Sequence, residues 1–387
     1  MSHWDEGESR LGRGGSADGA SPLGGTPCAD RASSSRHGGR IHEFARASGR
    51  SVDTVRDFSA SLNPLGPPAS VLDLWDRSRS WLIHYPDSTQ AAVRAVLAAT
   101  TGVGAEHIWC GNGANEVLDH VVAAWKPPRT WILAPAYSEY ARIARRHGSA
   151  VQHVDLTADF RLPLPTLRDQ IRPHDLVILN NPHNPSGRAW PRTVWEEECR
   201  LWTARGARVL VDEAFVDFLD DPWAYTALPL LDTGRVAVVR SATKIFTLPG
   251  LRFGFGLGPP ELLRTVADIR DPWSVNQPAQ ETARVAYTDA HFLDRTHAWL
   301  HDAQRDLAAT WGRHPAVHLY PTQVNYALVR LRDDDAGRRL VDGLRPEGIL
   351  VRSFPEIPGW GHRFIRFALR RAEDNLRLWT AAEPWLG

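Results

Sequence analysis

Val236-Ala237-Val238-Val239-Arg240-Ser241-Ala242-Thr243-Lys244 is an apolar run that closes in Ser-x-x-Lys, and Leu248-Pro249-Gly250-Leu251-Arg252 brings an arginine eight residues after the lysine. The β-branched start predicts a strand, which puts Ser241 and Lys244 in the turn at its carboxyl end. Lysine is otherwise almost absent: Lys126 and Lys244 are the two lysines among 45 basic residues. A lysine that persists under so strong an arginine bias is expected where arginine cannot replace it. The property at stake is deprotonation, because a neutral amine can condense with a carbonyl whereas guanidinium keeps its charge. Lys126 lies in Trp125-Lys126-Pro127-Pro128, a loop-like context with no chemistry around it, so Lys244 is the expected catalytic residue.

Outward from this strand, a grammar of short apolar run, polar turn and longer helical segment repeats over residues 106–258. Strands are predicted at 107–110, 130–133, 176–179, 209–211, 236–239 and 253–257. Val-, Ile- and Leu-rich strands alternating with helices imply an α/β fold whose mainly parallel sheet is covered on both faces. In such sheets ligands bind beyond the carboxyl ends of the strands, where the polar turns of this chain fall. After Pro272 the pattern changes to one long predicted helix over 279–311, then strands near 317–319, 326–331, 349–352 and 364–368. The expected organisation is a tail (1–35), an N-terminal arm packed on the small domain (36–66), a large domain (67–275) and a smaller α+β C-terminal domain (276–387). The tail is mostly Gly, Ser, Arg and Asp and cannot bury enough surface to offset ordering entropy, so it is expected to be disordered.

Bulk properties exclude several classes. With 387 residues the chain can bury a large core and a smaller one. Its 45 basic residues balance 45 acidic ones, which gives no electrostatic case for nucleic acid or an anionic membrane as partner. Cys28, Cys110 and Cys199 are odd in number, widely spaced, and match no metal or disulfide pattern. No apolar stretch reaches membrane-spanning length and no signal core opens the chain, so a cytoplasmic enzyme without a metal is expected.

Four turns accompany Lys244. Gly111-Asn112-Gly113-Ala114-Asn115-Glu116 opens a helix, and its glycines and amide donors suit an anion such as a phosphate. In Ala134-Pro135-Ala136-Tyr137-Ser138-Glu139-Tyr140, Tyr137 could stack on a flat ring. Asn180-Asn181-Pro182-His183-Asn184-Pro185-Ser186-Gly187 is a rigid turn that aims an Asn amide outward. Val211-Asp212-Glu213-Ala214-Phe215 ends a buried strand on a carboxylate, costly unless paired, and a protonated pyridine nitrogen is a suitable partner. Taken singly, each turn has a plain structural reading as a loop, a packed ring or a helix cap. Asn184, Asp212, Lys244 and Arg252 in that order, each at a predicted strand end, form a far more specific joint pattern.

With these residues the chain resembles the fold-type I pyridoxal-phosphate enzymes, the aspartate-aminotransferase superfamily, from about His37 to the C-terminus. The resemblance implies that Lys244 carries the cofactor as a Schiff base and that Asp212 pairs the pyridine nitrogen. It also implies that Asn184 bonds the ring hydroxyl, that Tyr137 stacks on the ring, and that Gly113, Ala114, Asn115, Ser241 and Arg252 hold the phosphate. Tyr85, in His84-Tyr85-Pro86-Asp87, would reach the phosphate of a neighbouring subunit, which implies a homodimer with shared sites. Arg366, in Phe364-Ile365-Arg366-Phe367-Ala368, would clamp the substrate carboxylate.

Within the superfamily, His37-Gly38-Gly39 and Asp57-Phe58-Ser59-Ala60-Ser61-Leu62-Asn63-Pro64-Leu65-Gly66-Pro67-Pro68 resemble the threonine-phosphate decarboxylases of cobalamin side-chain synthesis. Histidinol-phosphate aminotransferases share the core motifs. Both branches use phosphorylated amines or amino acids, which implies a basic pocket for a small amino-acid substrate, with His37, Asn184, Arg352, Arg366 and Arg370 as candidate contacts. The chain departs from the branch pattern at Asn115, where a hydroxyl residue is frequent, at Arg40, and at Phe215, where many aminotransferases carry a tyrosine bonded to the ring hydroxyl. Phe215 favours decarboxylation over transamination. β-Elimination, decarboxylation-coupled deamination, a paralogue in specialised metabolism and a non-catalytic ligand-sensing domain are the other readings. The last lacks a DNA-binding segment ahead of the fold.

Overall fold

Alternate residues of the central strands bury on opposite faces. Val177, Leu179, Val209, Val211, Val236 and Val238 pack into one core, and Leu176, Ile178, Leu210, Ala237 and Val239 into another. A strand buried on both sides belongs inside a sheet with helices on each face. The computed structural model describes residues 38–75 and 78–387. The expectations for the tail, His37 and Cys28 lie outside the described residues.

The strands are β1 (Arg56–Asp57), β2 (Ile108–Asn112), β3 (Arg129–Ala134), β4 (Ala150–Asp155), β5 (Leu176–Asn180), β6 (Arg208–Asp212), β7 (Val236–Ser241), β8 (Phe253–Leu257), β9 (His318–Leu319), β10 (Tyr326–Arg330), β11 (Ile349–Leu350), β12 (Arg352–Phe354) and β13 (Gly361–Ala368). Seven form one sheet in the order β2-β8-β7-β6-β5-β3-β4, in which β8 alone runs antiparallel to its neighbours. The α/β class with a mainly parallel sheet is thus observed. β4 was not expected from the sequence: it is a largely exposed edge strand, so no apolar run marks it. The long helix expected over 279–311 is two helices, Gln277–Ala286 and Ala290–Ala309, because Asp289 caps the second by accepting from the Phe292 amide.

β12, β13, β10 and β9 form an antiparallel sheet, and β1 pairs with β11 in parallel. The chain leaving β1 then crosses to the Lys244 turn. Asn63 donates from Nδ2 to the Ile245 carbonyl (2.9 Å) and to Thr296 Oγ1 (2.8 Å), and its amide donates to the Lys244 carbonyl (3.0 Å). Among the described residues, no helix is long and apolar enough to cross a membrane, and no cluster of His, Cys, Asp and Glu could hold a metal.

Candidate active site

The carboxyl ends of β3, β5, β6 and β7 open into a cleft of about 1650 Å³ lined by Asn115, Tyr137, Asn184, Asp212, Ser241, Lys244, Arg252, Arg352, Arg366 and Arg370, among others. Lys244 is half-buried there, whereas Lys126 is exposed at the end of the helix Ala114–Trp125. Removal from water, with help from Arg366 and Arg252, pulls the Lys244 amine down from 10.5 to about 8. The scarce lysine in the cleft therefore has the lowered affinity for protons that a nucleophile needs.

Asp212 ends β6 and is buried, which raises its carboxyl above the usual range; two donors act against that rise. Tyr140 donates to Oδ2 at 2.6 Å and the Ala214 amide to Oδ1 at 3.0 Å. A cation at the cleft side would complete the neutralisation. The turn is braced below by Glu213, which accepts from Arg240 (2.9 Å), from the Thr226 hydroxyl (2.8 Å) and from the Ala227 amide (2.6 Å). Asn180 links this turn to the next: its Nδ2 donates to the Asp212 carbonyl (3.0 Å) and its Oδ1 accepts the Asn184 amide (2.8 Å). Ser186 donates to Nδ1 of His183 (2.7 Å), whose Nε2–H donates to the Pro135 carbonyl (2.8 Å). Burial holds that imidazole down to about 4, so it stays neutral and structural.

The helix Ala114–Trp125 starts at Gly113, whose φ of 82° is left-handed, and Glu116 accepts the Asn112 amide at 2.6 Å. Here glycine is required twice. A Cβ on Gly113 would meet Arg252 Nη2 at 2.4 Å, and one on Gly254 would meet the Ala114 nitrogen at 2.4 Å. Ala114, Asn115, Ser241 and Arg252 all line the cleft beside this turn, and their amides, hydroxyl and guanidinium together suit a phosphate. Tyr137 precedes the helix Ser138–Arg146 and meets Tyr140 edge-on at 5.6 Å.

Arg366 is buried on β13. Its Nη2 donates to the Ser59 carbonyl (2.8 Å) and its Nη1 to Asn184 Oδ1, while Nε has no partner among the described residues. A buried N–H without a partner is suited to a carboxylate acceptor. Arg370 is turned to Asp374 (3.0 Å), and Arg352 is ion-paired with Glu356. Tyr85 does not line the cleft: it is 79% exposed and packs on Trp273, 4.9 Å between ring centres. Phe215 is buried and meets Tyr326 edge-on at 4.9 Å. Cys110 and Cys199 are buried, their thiols pushed up to about 12, so neither offers a thiolate.

Three residues that line the cleft escaped the sequence reading. Tyr140 lies three residues after Tyr137, in the first turn of the helix that Tyr137 precedes, and that spacing could have flagged it. Ser59 and Glu356 carry no such signal, because each depends on a loop conformation. Taken together, a lowered lysine amine, a buried carboxylate awaiting a cation, an Asn amide and a phosphate cradle form a donor set that fits pyridoxal phosphate.

The family model for aminotransferase class I and II matches residues 63–377. The chain is 32% identical over 353 residues to the threonine-phosphate decarboxylase of Salmonella typhimurium, covering 90% of this chain and 95% of that protein. It is 29% identical over 356 residues to histidinol-phosphate aminotransferase 2 of Ralstonia nicotianae, covering 89% and 92%. The crystal structure of histidinol-phosphate aminotransferase from Sinorhizobium meliloti in complex with pyridoxal-5'-phosphate superposes with a TM-score of 0.81 at 21% identity, covering 89% of this chain and 94% of that one.

Proposed function

This chain belongs to the class I and II aminotransferase family, and we propose that within it the protein is a pyridoxal-phosphate-dependent decarboxylase of a small amino acid, most similar to the threonine-phosphate decarboxylases. When bound, pyridoxal phosphate supplies an aldehyde that condenses with the substrate amine and a ring that takes up the electron pair left at the α-carbon. Lys244 would hold the cofactor between turnovers, and Nζ, released by the substrate amine, would deliver the proton that replaces carbon dioxide at Cα. Asp212, whose carboxylate form Tyr140 and Ala214 favour against the effect of burial, would pair with the ring nitrogen and keep it protonated. Asn184 would fix the ring hydroxyl, and the Ala114–Asn115 amides, Ser241 and Arg252 the phosphate. Arg366 would take the α-carboxylate on its open Nε edge and so set which bond to Cα stands perpendicular to the ring.

The observation that carries decarboxylation over transamination is Phe215. It lies on the cleft wall, packed against Tyr326, where many aminotransferases present a tyrosine, and phenylalanine has no hydroxyl to donate. The higher identity to the decarboxylase supports the same choice. A second assignment concerns assembly. Leu82, Ile83 and Tyr85 are 82%, 74% and 79% exposed, a run of apolar surface that a second copy would cover while Tyr85 entered its phosphate site. The experiment is release of labelled carbon dioxide from carboxyl-labelled amino acids without a 2-oxoacid acceptor. Decarboxylation gives many turnovers. A single stoichiometric burst of 2-oxoacid with the label retained would instead make the protein an aminotransferase.

A further inference from the structure

Two of the arginines expected to bind substrate are held by carboxylates of this chain, and one of those pairs stands inside the cleft. Arg352 and Arg366 are register partners on β12 and β13, so their side chains leave the same face of the sheet about 5 Å apart. With the α-carboxylate at Arg366, a group that reaches Arg352 is the end of a short substrate side chain. Glu356 lines the cleft at that point. Its Oε1 is on Arg352, and its buried Oε2 has no hydrogen-bond partner among the described residues. Aromatic rings line much of the rest of the compartment, together with Ile357, Pro358 and Arg330. The Arg352 guanidinium lies 4.9 Å from the Phe354 ring centre, Phe354 meets Trp360 edge-on at 5.4 Å, and Trp360 stacks on Phe364 at 4.1 Å.

A phosphate ester fits this compartment poorly. It would bring its negative charge against a carboxylate that already occupies Arg352, where surrounding rings limit screening by water. Its oxygens are acceptors and offer nothing to Glu356 Oε2, which needs a donor. An uncharged group with a donor satisfies Glu356 Oε2 without adding charge beside the ion pair. We propose that Arg352 and Glu356 form a side-chain subsite that selects a short amino acid ending in an alcohol or carboxamide rather than a phosphate ester. The subsite rests on the proposed function in one respect, the α-carboxylate at Arg366.

The test uses the pyridoxal-phosphate-loaded enzyme and its Glu356→Gln variant with L-threonine, L-asparagine and O-phospho-L-threonine. Affinity is read from the change in the cofactor's visible absorbance, and turnover from labelled carbon dioxide. The wild-type protein should bind threonine or asparagine more tightly than phosphothreonine, and Glu356→Gln should shift that ratio toward phosphothreonine by at least about tenfold. The proposal is overturned if the wild-type protein prefers phosphothreonine, if Glu356→Gln weakens all three equally, as a merely structural glutamate would, or if none of the three changes the absorbance. Discriminating absorbance changes without carbon dioxide would uphold the subsite and remove the decarboxylase reading.

Discussion

Without cofactor, Lys244 should titrate near 8 rather than 10.5, and the consequence for reactivity is large. At about pH 7.5, an amine of pKa about 8 is roughly one quarter unprotonated, against about one part in a thousand at 10.5, a gain of roughly 240-fold in nucleophile. Replacing Arg366 by Met removes the second cause of the depression. The midpoint should then rise but stay below 10.5, since burial and Arg252 remain. The depression also costs stability, with a definite sign. Between the two pKa values the unfolded chain binds more protons, so the apoprotein should gain up to about 3 kcal/mol as pH rises through that window, and Lys244→Met should lack this gain. The two-lysine composition makes the assay direct: reductive methylation across a pH series, with Lys244 and Lys126 peptides quantified by mass spectrometry. A Lys244 midpoint near 10.5, or one unmoved by Arg366→Met, would refute the reasoning.

Tyr140→Phe removes one donor to the Asp212 carboxylate and should cost the apoprotein about 1.5–3 kcal/mol at neutral pH. The deficit should shrink on acidification as Asp212 protonates; urea unfolding at two pH values checks this, and a pH-independent deficit would count against the pairing. Gly254→Ala drives a Cβ into the Ala114 nitrogen and should weaken cofactor affinity at least about tenfold, whereas Gly250→Ala, with nothing within 4 Å, should leave it unchanged; equilibrium reconstitution compares the two. If Tyr85 acts across subunits, mixing inactive Tyr85→Phe and Lys244→Ala proteins under exchange conditions should restore part of the activity, and no recovery despite proven exchange would argue against a shared site.

What could be read from the sequence follows what is local. Strands β5, β6 and β7 are apolar runs buried on both faces, and the residues at their ends enter the cleft because chain direction fixes which end of a parallel sheet is open. Lys244 stood out through composition, and burial accounts for its chemistry. β4 escaped because an exposed edge strand, Ala-Val-Gln-His-Val-Asp, needs no apolar face. The two helices after residue 276 read as one because Tyr287-Thr288-Asp289 interrupts the periodicity for less than a turn. Arg352 was expected to meet substrate directly. Its pairing with Glu356 depends on the loop between β12 and β13, where no repeat or cap constrains the reading.

The central claim is that Lys244 carries the cofactor, and borohydride reduction of the loaded enzyme followed by peptide mapping tests it most directly. The pyridoxyl group should be found on the peptide that contains Ser241-Ala242-Thr243-Lys244, and Lys244→Arg should bind the cofactor without a reducible bond. Label on Lys126, or on neither lysine, would contradict the assignment of this cleft as the active site.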